Sequence, residues 1–133
     1  MSYKNTFITI SEDSPRNTAV IPVPKNEKPT IASIEFELIK NNPYHYTQAD
    51  VQFQTYVRKN KLETENLAEL KDQFFSKPKA CFRASPLVKS YGWGIHYDNE
   101  GKIALYAVNS EEYLALEKEA HIQKLKGMRT KRK

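Results

Sequence analysis

A chain of 133 residues, 39% hydrophobic and 11% aromatic, carries enough apolar surface for one packed domain and too much for a disordered segment. No apolar run reaches the roughly 20 residues that a membrane-crossing helix needs. The net charge is +5, but Lys124, Lys126, Arg129, Lys131, Arg132 and Lys133 crowd residues 124–133 with no acid among them, so the rest is slightly acidic and offers no basic folded face for nucleic acid.

The run 5–10, NTFITI, alternates Thr with Ile and predicts an opening strand. Pro15 stands among turn formers, and Pro22, Pro24 and Pro29 mark residues 17–29 as an extended connection. Within it, 19–23 is at most an edge strand, because proline cannot donate to a ladder. Thr30 is placed to cap a helix over 31–42, with Ile31, Ile34 and Leu38 on one face and Pro43 as its stop. After the aromatic turn Tyr44–His45–Tyr46, Thr47 caps a second helix with Asp50 three residues on, and Ala49, Phe53, Tyr56 and Val57 are read as its inner side. Thr64 is read as the start of a third helix, with Leu67, Leu70 and Phe74 inward.

The period changes in the second half. Residues 79–85, KACFRAS, read as a strand, and Ser85 followed by Pro86 predicts a single helical turn that ends at Gly92. WGIHY at 93–97 puts Trp93, Ile95 and Tyr97 on one strand face and Gly94 and His96 on the other. Asp98–Gly101 is a hairpin loop, and 102–108 returns as a partner strand, apolar on both faces and therefore expected at the centre of the sheet. Ser110, followed by Glu111 and Glu112, starts a last helix whose acids suit the positive end of its dipole. The expected fold class is α+β: a small antiparallel sheet of about four strands against three to four helices, with residues 1–123 as one domain and 124–133 as a basic tail.

Chemistry concentrates in residues 83–97. A helical turn opening at Ser85 presents free backbone N–H groups, with Arg83 and Lys89 near enough to add charge for an anion. Tyr91 and Trp93 supply aromatic walls, and His96 a polar tip that titrates near neutral pH. The competing reading makes the same residues a helix cap, a turn and a core strand. Cys81 with His96 is the one conceivable nucleophile–base pair, though nothing around Cys81 marks it as activated. A lone cysteine allows no internal disulfide and no cysteine-rich zinc site, and His45, His96 and His121 lack a metal-ligand spacing, so no metal or cofactor is expected.

The strings NTFI, NPYHYT, FFSKPKACFRASPL, YGWGIHYDNEGKIALYAV, SEEY and MRTKRK resemble a family of small bacterial proteins of unknown function, from Asn5 to the tail. That resemblance implies an intracellular bacterial protein and assigns no activity, substrate or cofactor. The opening 14 residues also lack the basic, apolar and small-residue order of a secretory signal, which agrees with a cytoplasmic location. The functional expectation is a binding or interaction module for a small anionic ligand, held by Arg83, Ser85, Lys89, Tyr91, Trp93 and His96. The alternatives are weak, salt-dependent nucleic-acid binding through the tail and an enzyme using His96 or Cys81.

Overall fold

Strands Thr6–Thr9 (β1), Trp93–Tyr97 (β2), Ile103–Ala107 (β3) and Gln123–Lys126 (β4) form one sheet in the order β3-β2-β1-β4. The computed structural model describes residues 3–15, 17–62 and 65–129. Antiparallel pairing sets Ile8 against Ile95 and Ile95 against Leu105, so the alternating apolar residues of β2 share one face with those of its neighbours. On that face Ile8, Trp93, Ile95, Tyr97, Ile103 and Leu105 join one buried cluster with Ile34, Leu38, Val51 and Leu87 from the helices.

Among the described residues five α-helices surround the sheet: Ile31–Lys40 (α1), Gln48–Lys59 (α2), Leu67–Phe75 (α3), Pro86–Ser90 (α4) and Glu111–Lys118 (α5). Side chains cap four of them. Thr30 and Ser33 form a reciprocal capping box at α1, as do Thr47 and Asp50 at α2. The Ser85 hydroxyl accepts from Leu87 N at α4, and Ser110 accepts from Tyr113 N at α5. The 41–47 connection folds α2 back along α1, and Lys59 Nζ at the far end of α2 donates to Pro29 O just before α1. Helices α1, α2 and α4 close the apolar face of the sheet, and α5 crosses the other.

On that second face Tyr113 sits edge-on to Phe7 and takes the amide of Ile10 on its hydroxyl. A Cβ at position 94 would meet the Phe7 and Tyr113 rings at 2.7 Å, so glycine there permits the close approach of α5. Gly101 adopts φ 82° in the β2–β3 turn, the left-handed conformation that glycine enters without strain.

Several expectations need correction. The sheet is mixed, because β4 runs parallel to β1 with Phe7 opposite Lys124. Lys124 and Lys126 are therefore strand residues rather than tail, and Gly127 beyond them is buried. Lys131, Arg132 and Lys133 lie outside the described residues. Residues 79–85 are not a strand: they join no edge of the sheet, and Phe82–Ala84 forms a 3₁₀ turn that sends Phe82 into the core. Strand β3 is an edge, not the centre. Its residues are apolar on both sides because α1 and α5 cover opposite faces, and its first residue is bonded by the Tyr44 and Tyr46 backbone. No strand forms at 19–23, where Val20 N instead donates to Tyr91 O. The inner side of α2 is Gln48, Val51, Phe53 and Thr55, while Ala49 is exposed. Helix α3 begins after Asn66, and Leu67, Leu70 and Phe74 do not reach the core; Thr64 is outside the described residues.

Candidate functional site

A groove runs between α1, α2 and the 77–86 segment, and it is the place where buried polar chemistry opens outward. It consists of two adjoining cavities of about 290 and 240 Å³ that share Ile31, Glu35, Gln52 and Ala80. The first extends over Thr55, Tyr56 and Phe74 to Lys59 and Lys79; the second reaches Cys81 and Ser85. Gln52 Nε2 donates to Ala80 O at 2.6 Å and so ties the 77–81 segment to α2.

Glu35 comes from the buried side of α1 and is 6% exposed. Its Oε1 accepts the Ser85 hydroxyl at 2.8 Å, and no hydrogen bond reaches Oε2 among the described residues. Burial raises its carboxyl from the usual 4.5 to about 7, against the opposing pull of the Ser85 hydrogen bond. Thr55 on α2 is also 6% exposed, and its Oγ1 is buried without a hydrogen-bond partner. Buried hydroxyls are ordinarily paired, at a cost of about 1–3 kcal/mol when they are not, so the orphan on a residue that lines the cavity singles out this part of the groove.

The neighbouring polar groups are satisfied. Gln48 Oε1 accepts from the Tyr97 hydroxyl at 2.6 Å and from Phe82 N at 3.2 Å. Burial raises the Tyr97 phenol, with smaller upward contributions from Cys81, Tyr3 and Glu35, so it stays a neutral donor. Tyr3 donates to Cys81 Sγ at 3.3 Å. A larger hollow of about 440 Å³ beside the groove, under Phe75 and Pro78, has Gln48 as its one buried polar residue, already engaged as above. At the groove mouth Lys79 Nζ lies 4.1 Å from the Phe74 ring centre, and neither Lys59 nor Lys79 pairs with a carboxylate among the described residues.

The residues singled out from the sequence are distributed around this groove and away from it. Ser85 lines the groove and orients Glu35. Arg83 is spent on structure: its Nε donates to Lys126 O at 2.7 Å and its carbonyl accepts from Met128 N, which anchors the 3₁₀ turn to β4. Lys89 and Tyr91 are half-buried at the end of α4, and Tyr91 packs against the core. Trp93 belongs to the core face, with its indole N–H donating to Val20 O and its ring against Phe36 and Lys40. His96 lies on the opposite face, 2.8 Å through Nδ1 from the Tyr44 hydroxyl, which in turn lies 2.7 Å from the Tyr106 hydroxyl. Burial lowers the pKa of His96, which Asp98 partly offsets. Trp93 and His96 therefore do not share a site, and Cys81 and His96 do not meet.

Of the basic residues assigned to nucleic acid, Lys126 and Arg129 both engage Glu12, at 2.7 and 2.5 Å, and hold its carboxyl down at about 2. Lys124 Nζ donates to Glu119 O. The sequence reading missed Glu35, Thr55, Lys59 and Lys79. A signal for the first was available, since Glu35 follows Ile34 and stands four residues from both Ile31 and Ile39, inside the apolar arc of α1.

Fold and groove together define a small α+β protein with a mixed four-stranded sheet and a recessed carboxyl–hydroxyl pair. The chain belongs to a family of unknown function (DUF6157), whose model covers residues 1–133. No curated protein and no solved structure matches it.

Proposed function

We propose that this chain is a small-molecule binding module that holds a compact organic anion in the groove between α1, α2 and the 77–86 segment. The anionic end meets Lys59 and Lys79, the apolar body lies against Ile31, Tyr56 and Phe74, and Glu35 with Thr55 reads the inner end. The observation that carries this reading is a cavity of about 290 Å³, close to the size of ordinary ligand sites, whose lining joins the buried Glu35 carboxyl and Thr55, with its unpartnered Oγ1, to Lys59 and Lys79. Lys59 and Lys79 take the anion in place of Arg83, which lines neither cavity of the groove.

A thermal-shift panel of four- to eight-carbon carboxylates and alkyl phosphates on the full chain tests it. A ligand at a hundredfold over its Kd adds about 2.7 kcal/mol to native stability. At least one panel member is expected to raise the melting temperature of the wild type and to lose that effect in the Lys59→Met/Lys79→Met variant. An unchanged shift in the double variant, or no shift across the panel, overturns the reading.

A further inference from the structure

We infer that the inner end of the ligand is an ammonium group, so that the groove takes a zwitterion of the class of a short ω-amino acid. This inference rests on the organic-anion reading above and adds the opposite end of the molecule.

The inner wall offers acceptors that no donor answers. Among the described residues Glu35 is bonded only through Oε1, by the Ser85 hydroxyl, and Thr55 Oγ1 is buried and unpartnered. Among the described residues no lysine or arginine nitrogen pairs with Glu35, and no other carboxylate lines the groove. A largely buried carboxyl with a single neutral donor is held partly protonated near neutral pH, and a cation that pairs with it favours its ionised form. An ammonium group brings three N–H donors, enough for Oε2 and Thr55 Oγ1 together. A carbonyl or carboxylate at that point would leave Oε2 without a donor unless Glu35 kept its proton.

The mouth has the opposite character. Lys59 and Lys79 repel a simple amine, and a simple acid satisfies them while leaving the inner acceptors unanswered. Only a molecule with both charges answers both ends. Lys59 on α2 and Lys79 on the 77–86 segment make no ion pair with Glu35 among the described residues, so separate side chains across the cavity hold the two charges of the ligand. An α-amino acid carries its charges on adjacent groups, whereas a five-carbon chain sets them apart, one toward Glu35 and the other toward Lys59 and Lys79. The titratable groups that face Glu35 across the groove are Tyr56, Lys59, Lys79 and Cys81, with Tyr97 behind it.

The test is calorimetry on the full chain at pH 7 with 5-aminopentanoate, pentanoate and pentylamine, in two buffers of different ionisation enthalpy. We expect 5-aminopentanoate to bind at least tenfold more tightly than either monofunctional probe. About half a proton should be released per ligand, because Glu35 titrates at about 7 and the ammonium selects its ionised form. Glu35→Gln should abolish the release and reduce the affinity to that of pentanoate, and Thr55→Val should weaken 5-aminopentanoate several-fold, which keeps the inference testable if the first variant misfolds. Equal binding of pentanoate, or proton uptake on binding, overturns the ammonium assignment and leaves the organic-anion reading standing. Failure of both acids to bind overturns both.

Discussion

Helices α1 and α3 carry the same apolar spacing, Ile31, Ile34 and Leu38 in one and Leu67, Leu70 and Phe74 in the other, but Ile34 and Leu38 are buried while no residue of α3 is. The difference lies in what each face meets. Helix α1 lands on β3, α2 and α4, so its stripe closes the main core. Helix α3 meets α2 through a few rings, with Phe74 against Phe53 and Tyr56 and Phe75 against Phe53. Periodicity defines a face, whereas burial depends on a partner that the local pattern does not contain. Loose packing on the α3 side also leaves the space along α2 in which the groove lies.

The largest expected effect tests the α1 side. Leu38 is 2% exposed, and Leu38→Ala should cost about 2–5 kcal/mol by urea denaturation, through lost burial and the cavity it leaves. A loss below about 1 kcal/mol would mean that the α1 face is no better packed than α3, and the contrast would fail.

The next effect sharpens the contrast, because Glu35 sits on that same well-packed side and works against it as pH rises. Its carboxyl binds a proton up to about pH 7 in the folded chain but only to about 4.5 when unfolded. The folded state thus holds the extra proton between those values, and stability contributed by the neutral acid is complete below pH 4.5 and lost as pH climbs through 7. The change is on the order of 3 kcal/mol at one unit per 1.36 kcal/mol. Glu35→Gln keeps a neutral acceptor for Ser85 and should remove this slope, so that the variant is more stable than wild type at pH 8 and close to it at pH 4.5. Parallel urea midpoints for the two proteins across that range would show that the side chain is solvated in both states.

Much of the framework is legible because it is local. Thr30, Thr47, Ser85 and Ser110 each cap the helix expected of them, and Gly101 takes the positive φ that its turn requires. What is not legible depends on pairing at a distance. Nothing within QKLK shows that Gln123–Lys126 will add in parallel to β1, 114 or more residues away, and its alternating lysines read as solvated tail. Residues 79–85 have strand-like composition but pair with no strand, and Phe82–Ala84 closes into a 3₁₀ turn instead. The groove follows the same rule. Ser85 is recognisable as a cap, but its second role as donor to Glu35 requires α1 and α4 to be neighbours, and Thr55 becomes an orphan only once α2 is seated.

The smallest expected effect is the most direct probe of α3. Leu67 is 43% exposed at the first position of that helix, so Leu67→Ala removes little buried surface and creates no enclosed cavity. Alanine is at least as good a helix former as leucine, which leaves propensity no reason to oppose the change. The variant should unfold within about 0.5 kcal/mol of the wild type, with an unchanged urea dependence. The comparison is strongest when the midpoints are measured at two protein concentrations tenfold apart. A loss above about 1.5 kcal/mol that persists at both concentrations would place Leu67 in a packed interface within the chain. A loss that grows with concentration would assign its partner to a second copy, since association stabilises the folded state by mass action. With neither result, the α3 stripe is a face that the fold leaves open.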